Sequence, residues 1–408
     1  MSKDLRISVI GGGAAGFFAA IAAKNHNPLA QVQILEKTSH VLAKVKISGG
    51  GRCNVCHAEF NNRKLAEHYP RGEKFLKKAF EQFDASSTME WFEQRNVALK
   101  TYPDGCVFPL SNTSQSIIDC FLREAKKLDI ELLLHHGIES IEIQETGDFI
   151  LKTKDKTIST NRVIVTTGGQ PKLSGMHWLE TLGHPVIPPV PSLFTFNMPE
   201  EPIKEFMGLV VEKATVRIEG QKLLGKGPLL ITHWGMSGPA ILQLSAWGAR
   251  ILAEVNYQFS ILINWLDETK ESELRDKLEN TRKVHGGKMI SNQCPFPIPA
   301  RLWIFLLSKN EILATSRWNE VNPKQINKLV NTLLNDRYQV QGKTTFKEEF
   351  VTAGGIDLTE IQVQSMESKQ VPGLFFAGEI MDIDGITGGF NFQAAWTTGF
   401  IAGKHAAL

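Results

Sequence analysis

The chain has 408 residues, more than one ordinary hydrophobic core needs, so two or three domains are expected. With 42% hydrophobic and 22% charged residues and a net charge of +2, it has the composition of an ordinary soluble protein, and nothing suggests a nucleic acid or a membrane as partner. No stretch resembles a spanning helix or a signal peptide, and five cysteines, an odd number, make no disulfide framework, so a reducing cytoplasm is expected.

The first feature along the chain is a glycine-rich turn between a strand and a helix. Residues 5–10 are short, apolar and β-branched, as in a buried parallel strand, and residues 17–24 are helical. The turn between them has the pattern G-x-G-x-x-G. Its first glycine permits the tight turn, its second lets a pyrophosphate approach the backbone, and its third lets the helix pack close to the strand. The turn residues assigned to a cofactor are Gly11, Gly13, Ala14, Ala15 and Gly16.

A second strand, residues 32–35, ends at Glu36. This acid stands 20 residues after Gly16, where an acceptor for the ribose hydroxyls of an adenosine belongs, and its charge disfavours a 2′-phosphate. Strand, turn, helix, strand and acid in this register predict a dinucleotide site. The alternative is a glycine-rich turn with a structural role only.

A second glycine-rich stretch spans residues 46–54. Three consecutive glycines ending at Gly51 and followed by Arg52 suit a backbone pressed against a flat or anionic ligand, with the guanidinium neutralising charge. A flexible surface loop is the alternative. Cys53 and Cys56 form C-x-x-C, which is compatible with a redox dithiol or half of a metal site, but no second C-x-x-C exists. Two separate thiols are the default, and no metal is predicted.

The next segments predict mixed secondary structure. The periodicity of residues 73–95 is helical, and its aromatic residues are assigned to the core. An Asp-Gly turn joins residues 98–100 to residues 107–109 in a hairpin. A helix with a polar cap is expected at residues 115–127.

Two of the following strands are assigned to the cofactor. In chains of this kind a strand near Ile138 often touches an adenine through its backbone. Another strand exits through Thr167 and Gly168, small residues that let the backbone pass near a ligand, although a tight strand exit is the alternative. Strands are expected at residues 131–134, 138–143, 149–153 and 163–165.

A change in composition predicts a domain boundary at residues 184–191. Four prolines in this stretch fix φ and remove amide donors, which excludes a helix or an interior strand. Alternating segments at 193–196, 209–218 and 257–263 then predict an antiparallel β unit, and a helix-rich stretch follows from 271 to 338.

A polar loop at residues 233–239 stands out inside this β unit. It carries an imidazole, a hydroxyl and an indole, and a helix opens at Pro239. His233 could face a substrate, although a lone histidine is more often a hydrogen-bonded structural residue.

The last segment returns to the first domain. A buried strand exits through Gly378 and Glu379, and residues 391–407 form a closing helix. The free amides of a helix that begins after Gly389 can point at the edge of a flavin where negative charge accumulates on reduction. Asp382 could bind a ribityl hydroxyl. A dinucleotide site built from both chain ends, with an insertion between them, is the arrangement of two-dinucleotide-binding-domain flavoproteins.

Several longer motifs resemble one bacterial flavoprotein family, which includes aminoacetone oxidase and the BaiN-type bile-acid reductases. The resemblance spans nearly the whole chain, and these motifs are more specific than the opening glycines. They are ISGGGRCN at 47–54, THWGMSGPA at 232–240, TAGG at 352–355, MESK at 366–369, FAGE at 376–379, Asp382 with Asp384-Gly385, and TGGFN at 387–391.

The resemblance implies FAD, oxidoreductase chemistry and an α/β fold. A Rossmann-like FAD domain, residues 1–190 and 350–408, would be interrupted by a β-rich domain, 191–265, and a helical subdomain, 266–349. Two features depart from the family. Cys56 replaces an expected threonine, and residues 170–175 form a shorter segment than the Thr- and Gly-rich loop that the family has near the flavin ring. The resemblance suggests FAD contacts at Gly13, Ala15, Glu36, Lys37, Arg52, Cys53, Asn54, Gly378, Asp382 and Asn391.

The first functional hypothesis is an FAD enzyme that takes hydride from NAD(P)H and delivers it to a small organic substrate, such as a conjugated carbonyl compound. Only one complete dinucleotide fingerprint is present, so nicotinamide would dock in the inserted domain, bind briefly or be absent. The alternatives are an oxidase that passes electrons from an amine to oxygen, and a flavin-bearing redox sensor or assembly protein without turnover. Neither a substrate, an acid–base pair nor an oligomeric state follows from the sequence, and Cys53 and His233 are weak catalytic candidates.

Overall fold

The computed structural model describes residues 5–267, 269–344 and 351–408. The chain divides into two compact units. Unit 1 comprises Met1–Ser192 and Lys347–Leu408, and unit 2 comprises Leu193–Phe346. Unit 2 contains both strands and helices, and its separation into a β-rich domain and a helical subdomain stays a prediction. None of the helices in the described part of the chain is both long and apolar enough to cross a lipid bilayer.

The described residues form both strands and α-helices. The strands are β1 Arg6–Ile10, β2 Gln31–Leu35, β3 Cys56–His57, β4 Leu99–Thr101, β5 Cys106–Pro109, β6 Glu131–Leu133, β7 Ile138–Ile143, β8 Phe149–Thr153, β9 Thr157–Thr160, β10 Arg162–Val165, β11 Val186–Ser192, β12 Thr195–Asn197, β13 Val210–Ile218, β14 Leu224–Thr232, β15 Gly235–Ser237, β16 Gln258–Asn264, β17 Asp336–Gln341, β18 Lys343–Thr344, β19 Val351–Ile356 and β20 Leu374–Phe376. The α-helices are α1 Ala14–His26, α2 Ala43–Gly51, α3 Asn62–Ala66, α4 Glu73–Ala79, α5 Ala85–Glu93, α6 Gln115–Lys127, α7 His177–Glu180, α8 Pro239–Trp247, α9 Ala249–Glu254, α10 Glu271–His285, α11 Ala300–Lys309, α12 Pro323–Asn335 and α13 Phe390–Ala406.

The central sheet of unit 1 is parallel, with the strand order β20-β10-β1-β2-β6. Strand β1 lies in the middle, and its Ile7 and Val9 are fully buried, as the apolar run predicted. Strand β1 pairs with β2 on one side and with β10 on the other, so the connections from β1 lead to opposite sides of the sheet. The segments that follow these strands therefore meet at one edge, the usual position of a ligand in such sheets.

Helix α13 packs closely on helix α1, which joins the two ends of the chain within unit 1. A Cβ built on Gly403 would lie 2.0 Å from the carbonyl oxygen of Ala19, and one built on Gly399 would lie 2.7 Å from that of Ala15. Glycine is therefore needed at both positions of α13, because a side chain would push the helices apart. This contact fixes the start of α13 relative to the opening turn.

The proline-bearing segment forms strand β11, which pairs antiparallel with β19 in a two-stranded sheet. The pairing is irregular between Ile187 and Val190, where prolines interrupt the ladder. The prediction that these prolines exclude an interior strand is confirmed. Ser192, the last residue before unit 2, lies opposite Val351 in this ladder.

Unit 2 contains a seven-stranded antiparallel sheet with the order β17-β16-β13-β14-β15-β12-β18 among its described residues. The predicted antiparallel β unit is thus confirmed, and helices α10, α11 and α12 fall in the stretch predicted to be helix-rich. Strand β17 departs from that prediction, because Asp336, Tyr338 and Val340 alternate with more exposed residues at the period of a strand. Residues 345–349, also assigned to the helical part, lie outside the described residues.

Local predictions in unit 1 agree with the structure in type, with one division. The expected helix at 73–95 is two helices, α4 and α5, and Asp84 caps the second by accepting a hydrogen bond from the N–H of Ser87 at 2.8 Å. The hairpin is confirmed, with Leu99 opposite Pro109, and helix α6 has the predicted bounds.

Candidate functional site

The three glycines of the G-x-G-x-x-G pattern occupy three different environments. Gly11 has φ +112° and donates its N–H to the carbonyl of Leu35 at 2.8 Å, which makes the tight turn. A Cβ on Gly16 would lie 2.0 Å from the carbonyl oxygen of Gly11, so this glycine permits close helix packing. A Cβ on Gly13 would meet no described atom within 4 Å. The protein therefore leaves open space at the glycine predicted to face the pyrophosphate.

Helix α1 starts without a cap. Gly13 is its N-cap residue, no side chain among the described residues caps it, and its first turn contains no acid. Ala14 is the first residue of the helix, and the next residue, Ala15, is buried. The first N–H groups of a helix have no partner within the helix, and they carry partial positive charge, so this end suits an anion.

The carboxylate of Glu36 holds the turn from the second strand. Its Oε2 accepts a hydrogen bond from the N–H of Gly12 at 2.9 Å, and its Oε1 accepts from both the N–H and the hydroxyl of Thr38 at 2.9 Å. A carboxylate has about four acceptor positions, so Glu36 can accept another hydrogen bond from a ribose hydroxyl.

A cavity of about 230 Å³ lies at the edge of the central sheet in unit 1. Five residues predicted to contact a cofactor line it: Gly11, Glu36, Lys37, Ile138 and Thr167. The hydroxyl of Thr167 is buried and has no hydrogen-bond partner among the described residues. The sequence reasoning did not assign the other lining residues, which are Ile10, Leu35, His136, Gly137, Gln170, Gly175 and Trp178.

The second glycine-rich stretch turns sharply at the end of helix α2. Gly49, Gly50 and Gly51 have φ of +57°, +68° and +81°, and a Cβ on Gly50 or Gly51 would meet no described atom within 4 Å. The guanidinium of Arg52 lies 4.4 Å from the centroid of the Phe108 ring, and its Nε donates to the carbonyl of Gly49 at 3.2 Å. An exposed glycine backbone next to a positioned cation is compatible with the predicted ligand contact.

The two thiols of the C-x-x-C pattern are buried and reduced. All five cysteines of the chain are free. Burial raises the pKa of Cys53 to about 12, although the Ser48 hydroxyl opposes the rise, and burial raises the pKa of Cys56 further. Both are protonated near neutral pH, which disfavours nucleophilic or redox chemistry. Asn54 accepts a hydrogen bond from the N–H of Val107 at 3.3 Å, and no cluster of metal-ligating side chains occurs among the described residues.

A polar cluster surrounds the exit of strand β10. Glu379 accepts a hydrogen bond from the N–H of Thr352 at 2.8 Å and forms an ion pair with Lys44 at 2.7 Å. A Cβ on Gly169 would lie 2.5 Å from both the Glu379 carboxylate and the Thr352 hydroxyl. Gly168 next to it has φ +72° and faces open space. Packing therefore requires glycine at position 169, whereas the space beside Gly168 is open.

The start of helix α13 packs against the strand that follows the second glycine-rich stretch. Gly389, its N-cap, has φ +92°, and a Cβ there would lie 2.5 Å from the carbonyl carbon of Cys56. The ring of Phe390 stacks on His57 and His68 at centroid distances of 4.7 and 4.4 Å. As in α1, no described side chain caps the helix and its first turn contains no acid.

Both polar ends of the Asn391 side chain hold the preceding loop. Its Oδ1 accepts from the N–H of Gly385 at 2.8 Å, and its Nδ2 donates to the Gly385 carbonyl at 2.9 Å. The backbone N–H of Asp382 donates to the carbonyl of Ile356 at 3.0 Å. Gly378 has φ +76°, and a Cβ there would lie 2.9 Å from the Cβ of Ala15, so the last parallel strand ends beside the opening turn.

An ion pair that the sequence did not predict holds the loop that precedes helix α13. Asp384 is fully buried, pairs with Arg71 and accepts a hydrogen bond from the hydroxyl of Ser192 at 2.6 Å. Burial raises the pKa of Asp384, and the Arg71 guanidinium and the Ser192 hydroxyl oppose that rise. Such a pair is costly to break, because one charge would be left buried. Its only sequence signal was the motif around Asp384.

The catalytic candidate His233 lies in unit 2, between strands β14 and β15, and is exposed. Its ring makes an edge contact with Trp234, whose indole N–H donates to the hydroxyl of Thr195 at 3.0 Å. The helix expected to open at Pro239 is α8, as predicted. A catalytic role for His233 stays a prediction, as does one for Cys53.

All of the predicted cofactor residues lie in unit 1, which contains both ends of the chain, and five of them line one cavity. An uncapped helix start, a glycine facing open space, a buried hydroxyl without a partner and a cavity beside Glu36 are features that a bound dinucleotide would complete. These residues fit FAD.

Comparison with known proteins decides the family. Residues 5–405 match the model of the family described as HI0933-like protein Rossmann domain. The chain belongs to this family. HI0933-like relatives include a 3-dehydro-bile acid delta(4,6)-reductase from Clostridium scindens, 27% identical over 98% of this chain and 99% of the relative. Another is a ribosomal RNA dihydrouridine synthase from Escherichia coli, 28% identical over 96% of this chain and 95% of the relative.

A solved structure supports the fold alone. A 3-ketosteroid-delta4-(5alpha)-dehydrogenase from Rhodococcus jostii RHA1 superimposes with a TM-score of 0.52 at 14% identity, covering 100% of this chain and 98% of the dehydrogenase. The resemblance stated from the motifs is confirmed, and so is the α/β fold with a Rossmann-like FAD domain. This HI0933-like protein is an FAD-dependent oxidoreductase.

Proposed function

We propose that FAD lies along the edge of the central sheet in unit 1. The adenosine would occupy the cavity beside Glu36 and Ile138, and the pyrophosphate would face Gly13 and the uncapped start of α1. The flavin would lie toward the uncapped start of α13, whose N-cap is Gly389. The remaining predicted contacts around Arg52 and Asp382 belong to this proposal.

For the reaction, we propose reduction of a carbon–carbon double bond conjugated to a carbonyl group. The observation that carries this proposal is the pair of curated relatives, which match nearly the full length of this chain and are named for different substrates. A delta(4,6)-unsaturated 3-oxo bile acid and the uracil base converted to dihydrouracil share one reacting unit, a C=C bond next to a C=O group. Shared chemistry on different substrates favours this unit over any single molecule.

The electron balance of this reaction is simple. When bound, FAD in its reduced form supplies a hydride. The hydride adds to the β carbon of the conjugated system and a proton adds to the α carbon, so the double bond becomes a single bond. The chain would contribute the orientation of the cofactor and the partial positive charge at the start of α13, near which no acidic residue lies in the first helical turn.

We propose NADH or NADPH as the source of the electrons. FAD takes the opening fingerprint in this proposal, so a nicotinamide nucleotide would bind elsewhere and leave after transferring its hydride. An anaerobic titration of the purified yellow protein with each nucleotide tests this step. We expect the flavin absorbance to bleach with one of them, followed by recovery when a 4-en-3-one steroid is added.

Two outcomes would contradict this proposal. Rapid oxygen consumption driven by an amine, without bleaching by NADH or NADPH, would favour the oxidase. A redox-dependent change of shape or partner without steady turnover would favour the sensor. A matched control is the same titration with a 3-oxo steroid that is saturated between C4 and C5. This compound has the carbonyl but no double bond, and it should leave the reduced flavin unchanged.

A second candidate substrate is a uridine in ribosomal RNA. The full-length similarity to the E. coli ribosomal RNA dihydrouridine synthase favours it, and the net charge of +2 does not by itself exclude RNA. Mass-spectrometric mapping of dihydrouridine in ribosomal RNA from a strain lacking the gene tests it. Loss of one dihydrouridine site, restored by the wild-type gene, would support RNA as the substrate, and unchanged modification would favour the small molecule.

A further inference from the structure

We propose that residues 170–178 form the adenine-binding wall of the FAD site, with the Trp178 ring stacked on the base and the Gln170 amide bound to its edge. This inference concerns how the chain holds its cofactor and does not depend on the substrate. It goes beyond the motifs, because this segment departs from the family pattern and carries none of them. The family's longer loop was expected near the flavin ring, whereas here Gln170, Gly175 and Trp178 line the cavity beside Glu36 and Ile138.

Both side chains line the same cavity as Glu36 and Ile138. Trp178 lies on helix α7, and this helix packs against strand β7, which begins at Ile138. The acid and the strand are the two elements assigned to the adenosine, one for the ribose and one for the base. The segment therefore supplies a third wall to the same end of the site.

The indole of Trp178 is held in one orientation. Its Nε1 donates a hydrogen bond to the carbonyl of Gly175 at 3.2 Å, and Gly175 also lines the cavity. The ring is half-buried, so one side packs on the protein while part of it remains accessible. The cavity has aliphatic residues, among them Ile10 and Leu35, beside the Trp178 ring, and apolar walls of this kind suit a flat heteroaromatic base.

The amide of Gln170 supplies the polar edge. It makes no hydrogen bond to the described residues, and its Oε1 lies 2.9 Å from the position of a Cβ on Gly175, so the amide lies close to the Gly175 backbone. An amide offers one acceptor and two donor hydrogens, which match the N6 amino group and a ring nitrogen of adenine.

The experiment uses the full-length chain freed of flavin and titrated with ADP and GDP by calorimetry. We expect Trp178→Ala to weaken ADP binding about 10- to 100-fold, the range for loss of base stacking on an aromatic side chain. Trp178→Phe should restore binding to within about threefold, because the ring is replaced. His177→Ala, an exposed neighbour on the same helix, serves as the matched control and should leave the affinity unchanged.

Two further readouts separate stacking from a structural role. ADP should quench part of the tryptophan fluorescence of the wild type, and Trp178→Phe should lose that quenching while still binding ADP. Gln170→Ala should weaken ADP binding by about tenfold, the effect of one base-edge contact, with GDP as the comparison base. An unchanged ADP affinity in Trp178→Ala, or quenching that persists in Trp178→Phe, would overturn the stacking. An unchanged ADP affinity in Gln170→Ala would overturn the edge contact.

Discussion

Helices α1 and α13 of unit 1 both begin at a glycine without a side-chain cap or an acid, yet the two glycines answer different needs. Gly13 has φ −92°, an ordinary value, and a Cβ there would face open space. Gly389 has φ +92°, and a Cβ there would lie 2.5 Å from the backbone of Cys56. Packing of the described residues requires glycine at position 389, whereas it places no such demand on position 13. A glycine in a motif can therefore report on packing or on binding.

The largest expected effect is that of Gly389→Ala. The new methyl group would strain a left-handed backbone and press on atoms of Cys56 that cannot rotate away. We expect the free energy of unfolding of the flavin-free chain to fall by about 2–5 kcal/mol, measured by urea denaturation. Gly147→Ala is the matched control, because Gly147 has φ +82° with no described atom near its Cβ. It should lose only about 1–2 kcal/mol, and equal losses in both variants would contradict the packing argument.

Gly13→Ala should show the opposite behaviour. Since no described atom lies near its Cβ, the flavin-free chain should unfold at the same urea concentration as the wild type. A methyl group in the proposed path of the pyrophosphate should weaken FAD binding about 10- to 100-fold, measured by quenching of flavin fluorescence. A variant that binds FAD normally would show that the open space at Gly13 is not the phosphate site.

A smaller effect is expected for Glu36→Gln beside the same turn. The carboxylate accepts hydrogen bonds from Gly12 and Thr38, and an amide can replace only part of that acceptor capacity. We expect FAD affinity to fall about tenfold in calorimetry, because a charge-assisted contact to ribose is weakened. Glu139→Gln, an exposed change on strand β7, is the control and should bind FAD as the wild type does.

The smallest effect concerns the thiols next to Gly389. Burial raises the pKa of Cys53 to about 12, so at pH 8 the thiolate fraction is about 10⁻⁴ and iodoacetamide should hardly modify this residue in the native protein. In urea the pKa returns toward its ordinary value, and mass spectrometry should then show rapid alkylation of Cys53 and Cys56. Fast modification of Cys53 or Cys56 in the native protein, or a disulfide between these residues after oxidation, would favour the redox pair instead.

The elements with local signals were predictable from the sequence. The opening turn, the Asp-Gly hairpin and helix α6 depend on residues close in the chain, and the structure has them where the patterns placed them. Parallel strands also follow from short apolar runs, and the meeting of their ends places Glu36 beside Gly12. Strand β17 was less accessible, because it begins directly after helix α12 without a turn signal.

Long-range contacts were not predictable in the same way. Gly389 meets Cys56, and Arg71 meets Asp384, across more than 300 residues of sequence, and no local pattern specifies such partners. Asn391 illustrates the limit for the site, since the motif marked it as a cofactor contact while its side chain holds Gly385. Trp178 had no motif at all and became visible only through the cavity that it lines.

The pairing of Ser192 with Val351 has a consequence for engineering. Ser192, the last residue of unit 1 before unit 2, and Val351, the first residue described after unit 2, are cross-strand neighbours about 5 Å apart in the β11–β19 ladder. A two-residue hairpin could bridge them. We therefore expect that residues 193–350 could be replaced by another folded module while the pairing of strands β11 and β19 in unit 1 is kept.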